Sequence, residues 1–326
     1  MRYHDGSICI TNTRSSATRG NTIFMRILVT GGAGFIGVHL VNALADAGYD
    51  VVVLDNLHHA SSQNIPSGVK FIRGNVRDRE TIRSAMEGCT RVYHLAAQSN
   101  VMGAETDGNY SFATNVVGTY YILSCAVELG ISRVIFTSSR EVYGEVDRLP
   151  VTEDHPVNPK NAYGASKVAG EAYLRAFHAT HGLEASILRI ANVYGPGDRD
   201  RVIPLWLDKV AHGKRLELFG GEQILDFIPV DIVVAALLRA GELSLHGIPV
   251  NVGSGVGIPL KNLASRIQDL VGAQVEVRLL PARPVEVTHF VADVERMRTT
   301  LGVDPPEDPL IHLPALWNLL RADAQH

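Results

Sequence analysis

Cysteine is scarce in this chain of 326 residues: Cys9, Cys89 and Cys125 are its 3 cysteines, and none is in CxxC spacing. That excludes a disulfide framework and points to reduced thiols in a cytoplasmic protein. An excess of one charge is also lacking. There are 30 Lys and Arg against 34 Asp and Glu, a net charge of -4, so nothing electrostatic favours nucleic acid as a partner. No apolar run approaches the roughly 18 residues that a membrane-spanning helix needs. No group of His, Cys and carboxylates has metal-ligand spacing, and the adjacent His58 and His59 point apart, so no metal is expected. Residues 1–24 have no long apolar core and are not a secretory signal. They read as a flexible tail, with Met25 as an alternative start. What remains is 46% hydrophobic over the whole chain, enough core for one large or two fused globular domains.

The residues present show a regular rhythm. Short apolar runs predict strands at Arg26–Thr30, Val51–Leu54, Val69–Arg73, Arg91–Leu95, Arg133–Thr137 and Ala185–Arg189. Helical spacing predicts helices at Phe35–Ala47, Arg79–Glu87, Ala113–Leu129 and Ala162–His181. Uninterrupted apolar strands alternating with helices imply a parallel sheet covered on both faces, an α/β fold of the doubly wound Rossmann type. After Gly195-Pro196-Gly197 the elements shorten. Helices are predicted at Val202–His212, Ile232–Ala240 and Leu260–Val271, and strands at Val250–Val252 and Val275–Leu279. Residues 25–195, with return segments from the C-terminal half, read as a dinucleotide-binding domain. Residues 196–326 read mainly as a smaller substrate-binding α/β region, in which Trp206 and Trp317 are packing anchors.

Gly31, Gly34 and Gly37 make a GxxGxxG turn directly after a strand and at the start of a helix. Glycine allows the tight turn and lets the backbone approach a pyrophosphate, while the helix start offers free N–H groups. Asp55 follows at a strand end about 20 residues on, where a carboxylate binds ribose hydroxyls and repels a 2′-phosphate. NAD is therefore expected rather than NADP. Further along, Tyr163 and Lys167 are four residues apart and share a helix face. A lysine beside a tyrosine favours the phenolate and lowers the phenol's pKa, suiting it to proton transfer near neutral pH. Ser138 and Ser139 end a strand, where catalytic groups of open α/β sheets gather.

Taken together the motifs Thr30–Gly37, Asp55-Asn56, His94–Gln98, Asn115–Thr119, Ser138–Gly144, Tyr163–Lys167 and Asn192–Pro196 run in one order. In this the chain resembles the extended short-chain dehydrogenase/reductases of the nucleotide-sugar epimerase/dehydratase family. The resemblance implies tightly held NAD, reduced and reoxidised within one cycle. Tyr163 would be the base at the sugar 4-hydroxyl, Lys167 would bind the nicotinamide ribose, and Ser139 would bond the 4-oxygen. Phe35, Ile36, Asn56, Asn75, Val76, Leu95, Ala96, Ala97, Gln98 and Asn115 would join the glycines and Asp55 around the cofactor. Asn192 and Arg283 would hold the substrate diphosphate. A homodimer through the helices at Ala113–Leu129 and Ala162–His181 is also implied.

Two departures bear on the reaction. Glu141 stands where lyases of the family place a glutamate for later chemistry, but Arg140 replaces the acid that dehydratases usually carry before it. Arginine cannot serve as that acid; it is a candidate partner for an anionic substrate or for Glu141 itself. Leu225 replaces an arginine common in relatives, so Arg201, Lys214 and Arg215 are candidates to compensate, with Arg283 alone as the alternative. The leading expectation is NAD-dependent C4 epimerisation of a nucleoside-diphosphate sugar, as in epimerases acting on UDP-glucose. The alternatives are 4,6-dehydration or UDP-glucuronate decarboxylation using Glu141, and a noncatalytic NAD-sensing module.

Overall fold

The computed structural model describes residues 25–323; the tail 1–24, with Cys9, lies outside them. Six apolar runs form β1 (Arg26–Thr30), β2 (Asp50–Asp55), β3 (Lys70–Arg73), β4 (Arg91–His94), β5 (Arg133–Ser139) and β6 (Glu184–Ile190). With the strand Pro249–Val252 they make a seven-stranded parallel sheet, ordered Pro249–Val252, β6, β5, β4, β1, β2, β3. The chain steps outward from β1 to β3, then crosses back to β4. The strand order thus reverses between β1 and β4, where doubly wound sheets open a crevice for ligands.

Both faces of this sheet are buried, which explains the unbroken apolar runs. Side chains alternate along each strand. Ile27, Val29, Val51 and Val53 pack with the helices Phe35–Asp46 and Val230–Glu242 on one face. Leu28, Val52 and Leu54 pack with Arg79–Met86, Gly118–Glu128 and Ala162–His181 on the other. The helix Val230–Glu242 and the strand Pro249–Val252 come from the C-terminal half, so the chain enters the smaller lobe, returns to the sheet and leaves again.

One expected helix begins earlier than its periodicity indicated. Helical turns run through Val101–Thr106 and Gly108–Phe112, pass a π-helical turn at Ala113–Val117 and continue as Gly118–Glu128. Asn100 and Asp107 cap the two short turns through their side chains. The smaller lobe also holds strands that short, mixed sequences concealed, among them Leu216–Phe219 and Ile224–Pro229. They pack with Val202–Ala211 and Leu260–Val271 over a core containing Trp206, Phe227 and Ile267.

Candidate active site

The glycine turn shows why it admits no side chain. Gly31 has φ +71°, and a Cβ there would lie 2.6 Å from the Ala96 nitrogen. A Cβ on Gly37 would collide with the Gly31 carbonyl. The helix Phe35–Asp46 starts at Gly34 with no side-chain cap, so its first N–H groups stay available to an anion. Asp55 ends β2 and ties the turn down, accepting from the Ala33 N–H at 3.1 Å and the Leu57 N–H at 2.8 Å. A buried relay braces the turn from below. Thr119 donates its proton to the Asn115 carbonyl, so His94 Nε2 must donate to Thr119, and Nδ1 accepts from Thr30 at 2.7 Å. Burial holds this neutral imidazole far below its usual range, at about 3.

Across the cleft, β5 delivers Ser139 and the helix Ala162–His181 delivers Tyr163 and Lys167. Asn161 caps that helix, its Oδ1 accepting the Gly164 N–H at 2.8 Å. Ser139 stands beside the Tyr163 phenol, its Oγ accepting the Glu141 N–H at 3.2 Å. Lys167 donates from Nζ to the Thr137 carbonyl at 2.7 Å and sits 5.7 Å from the Tyr163 ring centre. The expected lowering of the tyrosine's pKa by its lysine is corrected here. Burial pushes the phenol up to about 12, against the neighbouring Ser139 hydroxyl, although the residue is only partly buried in the cleft wall. Burial also lowers Lys167 to about 7, with Glu171 opposing. Desolvation therefore outweighs the charge effect in the protein alone.

Glu171 is wholly buried and pairs in a fork with Arg189, whose Nη2 and Nε lie 2.7 and 2.9 Å from its oxygens. Glu171 also accepts from Ser138 at 2.6 Å, fastening the tyrosine helix to β5 and β6. On the substrate side, Asn192 Nδ2 donates to the Asp226 carbonyl at 2.9 Å. Arg283 stacks 3.6 Å over Phe219 and donates to Glu286 at 2.8 Å. Arg201 pairs with Asp198 at 3.1 Å and lies 5.2 Å over the Phe35 ring, against the dinucleotide turn.

All but two of the residues expected for cofactor, proton transfer and substrate thus line one cleft of about 720 Å³. The open N–H groups, the side-chain-free turn and the Asp55 carboxylate fit a dinucleotide without a 2′-phosphate. Residues 27–253 match the model of the NAD dependent epimerase/dehydratase family. A putative UDP-glucose 4-epimerase of Methanocaldococcus jannaschii is 36% identical over 289 residues, 86% of this chain and 94% of that protein. The UDP-glucose 4-epimerase of Thermotoga maritima, solved with UDP-glucose, superposes with TM-score 0.88 at 31% identity, covering 92% of this chain and 100% of that one. That of Thermus thermophilus, solved with NAD, gives TM-score 0.85 at 32% identity, over 91% and 99%. The chain belongs to the NAD-dependent epimerase/dehydratase family. NAD is its cofactor.

In this family member every named site residue faces the cleft except two. Asn75 turns its Oδ1 to the Arg77 N–H at 3.0 Å, and its neighbours Gly74 and Val76 form the wall instead. Asn115 is buried and clamps Gln98 and Ser166, at 2.7 and 2.9 Å, behind that wall. The pair at the lyase position is closed on itself. Arg140 lies 3.0 Å from Glu141 Oε1, and Asn161 donates to Glu141 Oε2 at 2.7 Å. Two contributors went unread in the sequence. Asn161 had a signal, an Asn placed three residues before a helical glycine. Phe219 had none, since nothing local shows that it would underlie Arg283. Trp206, read as a packing anchor, is 5% exposed and also lines the cleft.

Proposed function

We propose that the protein inverts C4 of a nucleoside-diphosphate sugar through a transient 4-keto sugar. The observation that carries this reading is the convergence of Ser139, Tyr163 and Lys167 on the cleft that also holds the dinucleotide turn. Bound NAD supplies a hydride acceptor and donor. Tyr163 takes the proton of the 4-hydroxyl and later returns one, and Ser139 orients the 4-oxygen. Lys167 would hold the nicotinamide ribose, and its charge, once the bound ligands stabilise it, draws the phenol back toward phenolate. Asn192 and Arg283 hold the diphosphate, and Arg201 reaches the dinucleotide side from the smaller lobe. Because both Glu141 oxygens are engaged, Glu141 acts as a brace between β5 and the tyrosine helix, which favours epimerisation over the lyase reactions.

A second reading concerns the sugar. Arg140 Nη1 is buried in the cleft wall without a hydrogen-bond partner, which favours a hexose bearing a carboxylate or another acceptor at C6. We further place the protein in the cytoplasm, consistent with the buried free thiols of Cys89 and Cys125, and as a homodimer.

The test is incubation of the pure protein and NAD with uridine- and thymidine-diphosphate hexoses and a uridine-diphosphate uronic acid, read by mass spectrometry and proton NMR. Inverted C4 at unchanged mass is expected. Loss of water or carbon dioxide would overturn the epimerase and return Glu141 to the chemistry.

A further inference from the structure

At the opposite end of β6 from the cleft, three chain segments bring together side chains that are remote in sequence. His178 lies in the last turn of the tyrosine helix, Glu184 opens β6, and His246 sits in the turn before Pro249–Val252. One ligand atom from each lies within 4.8 Å of the others. We propose that His178, Glu184 and His246 bind a divalent transition-metal ion of the zinc class.

The protonation of His178 follows from its partner. Its Nδ1 lies 3.0 Å from the Leu183 carbonyl, which only accepts, so Nδ1 carries a proton and the neutral ring offers its lone pair at Nε2. A backbone carbonyl behind one ring nitrogen is the usual way a metal-binding imidazole is oriented. Glu184 is fixed too: Oε1 accepts the His246 N–H at 2.8 Å, and Oε2 lies 3.2 Å from His246 Nδ1. The His178 and His246 rings are 5.6 Å apart. His246 adopts φ +52° and Gly247 φ +74°, the paired left-handed conformation of a tight turn that Asn or Gly fills without strain. That turn is pinned by the Gly247 N–H to the Ala185 carbonyl at 2.8 Å, so the imidazole is presented from a fixed backbone.

Chemistry selects the ion. Two imidazoles and one carboxylate suit zinc, with nickel and copper as competitors, and disfavour magnesium and calcium, which take oxygen ligands. Four-coordinate zinc needs ligand atoms about 3.4 Å apart, given bonds of about 2.0–2.1 Å. The exposed His246 ring closes the gap by rotating. The carbonyls at the end of the tyrosine helix add negative potential. Arg175 packs its stem on Gly247 but turns its guanidinium to Glu171 at 3.3 Å, away from the three ligands. Glu184 and the cleft-lining Ile190 are the two ends of β6, about 20 Å apart at the usual rise. The ion is therefore a staple of helix, strand and turn rather than a catalytic group.

The experiment uses the full chain, untagged, stripped with chelator and titrated calorimetrically with zinc chloride. A thermal scan is run with and without the metal. One-to-one binding and a rise in melting temperature are expected. His246→Gly removes a ligand yet suits the left-handed turn, so it should melt no lower than the metal-free wild type. Its zinc affinity should fall by about tenfold or more, as should that of Glu184→Gln. Absence of one-to-one binding, or unchanged affinity in either variant, would overturn the proposal.

Discussion

In the proposed mechanism Tyr163 carries the heaviest single role, and its environment opposes that role. The phenol is pushed up to about 12 by burial, so proton transfer near neutral pH depends on charge that arrives with the ligands. Tyr163→Phe removes the proton carrier but no contact that shapes the dinucleotide turn. Turnover should fall by roughly 10²–10⁴ while bound NAD, measured by its absorbance after denaturation, stays at the wild-type level. Unchanged turnover would remove Tyr163 from the mechanism. His94 makes a separate prediction about stability. Its folded pKa of about 3 lies below the ordinary value of 6.5, so the unfolded chain binds a proton that the folded chain refuses across that interval. Its contribution is present above pH 6.5 and is lost as pH falls toward 3. Urea midpoints between pH 7 and 4.5 should therefore drop more steeply for the wild type than for His94→Gln. Parallel slopes would contradict a neutral, buried imidazole.

At the scale of elements, the tyrosine helix is the part whose placement decides the site. Asn161 starts it, Gly182 stops it at φ +69°, and Gly170 lets it approach the sheet, since a Cβ there would lie 2.6 Å from the Phe136 ring. Start and stop were readable from sequence, and the predicted bounds Ala162–His181 are those observed. The fastening was not, because Glu171 and Arg189 are 18 residues apart and meet only when the helix lies across β5 and β6. Arg189→Met leaves the Glu171 carboxylate buried without its fork. The loss should be about 3–5 kcal/mol of unfolding free energy, measured by urea titration. A loss below about 1 kcal/mol, the range of an exposed pair, would show that the pair does not anchor the helix.

At the scale of the molecule, the outer helices keep large aromatics at the surface. Tyr120 and Tyr173 are 42% and 40% exposed and lie 5.6 Å apart, with Phe177 6.0 Å from Tyr120, and Phe112 is 60% exposed. Such a cluster marks a contact surface, and the proposed homodimer uses it. Tyr173→Glu places a charge at its centre and should shift sedimentation from two chains to one at micromolar concentration. A variant that still sediments as a pair would locate the dimer contact elsewhere.

The sequence by itself determined the parallel sheet, the dinucleotide turn and the order of the proposed proton-transfer groups. Each rests on a local rule: apolar runs make buried strands, glycine alone takes φ +71° beneath Ala96, and four residues of helix align Tyr163 with Lys167. Tertiary structure alone decided how those groups are tuned. The phenol is raised rather than lowered because desolvation depends on everything packed around it, not on the neighbour four residues away. Likewise Glu141 met Asn161, Arg283 met Phe219, and His178 met Glu184 and His246 through loops and crossovers. Such encounters are set by how segments remote in sequence pack within each lobe, and no spacing along the chain encodes them.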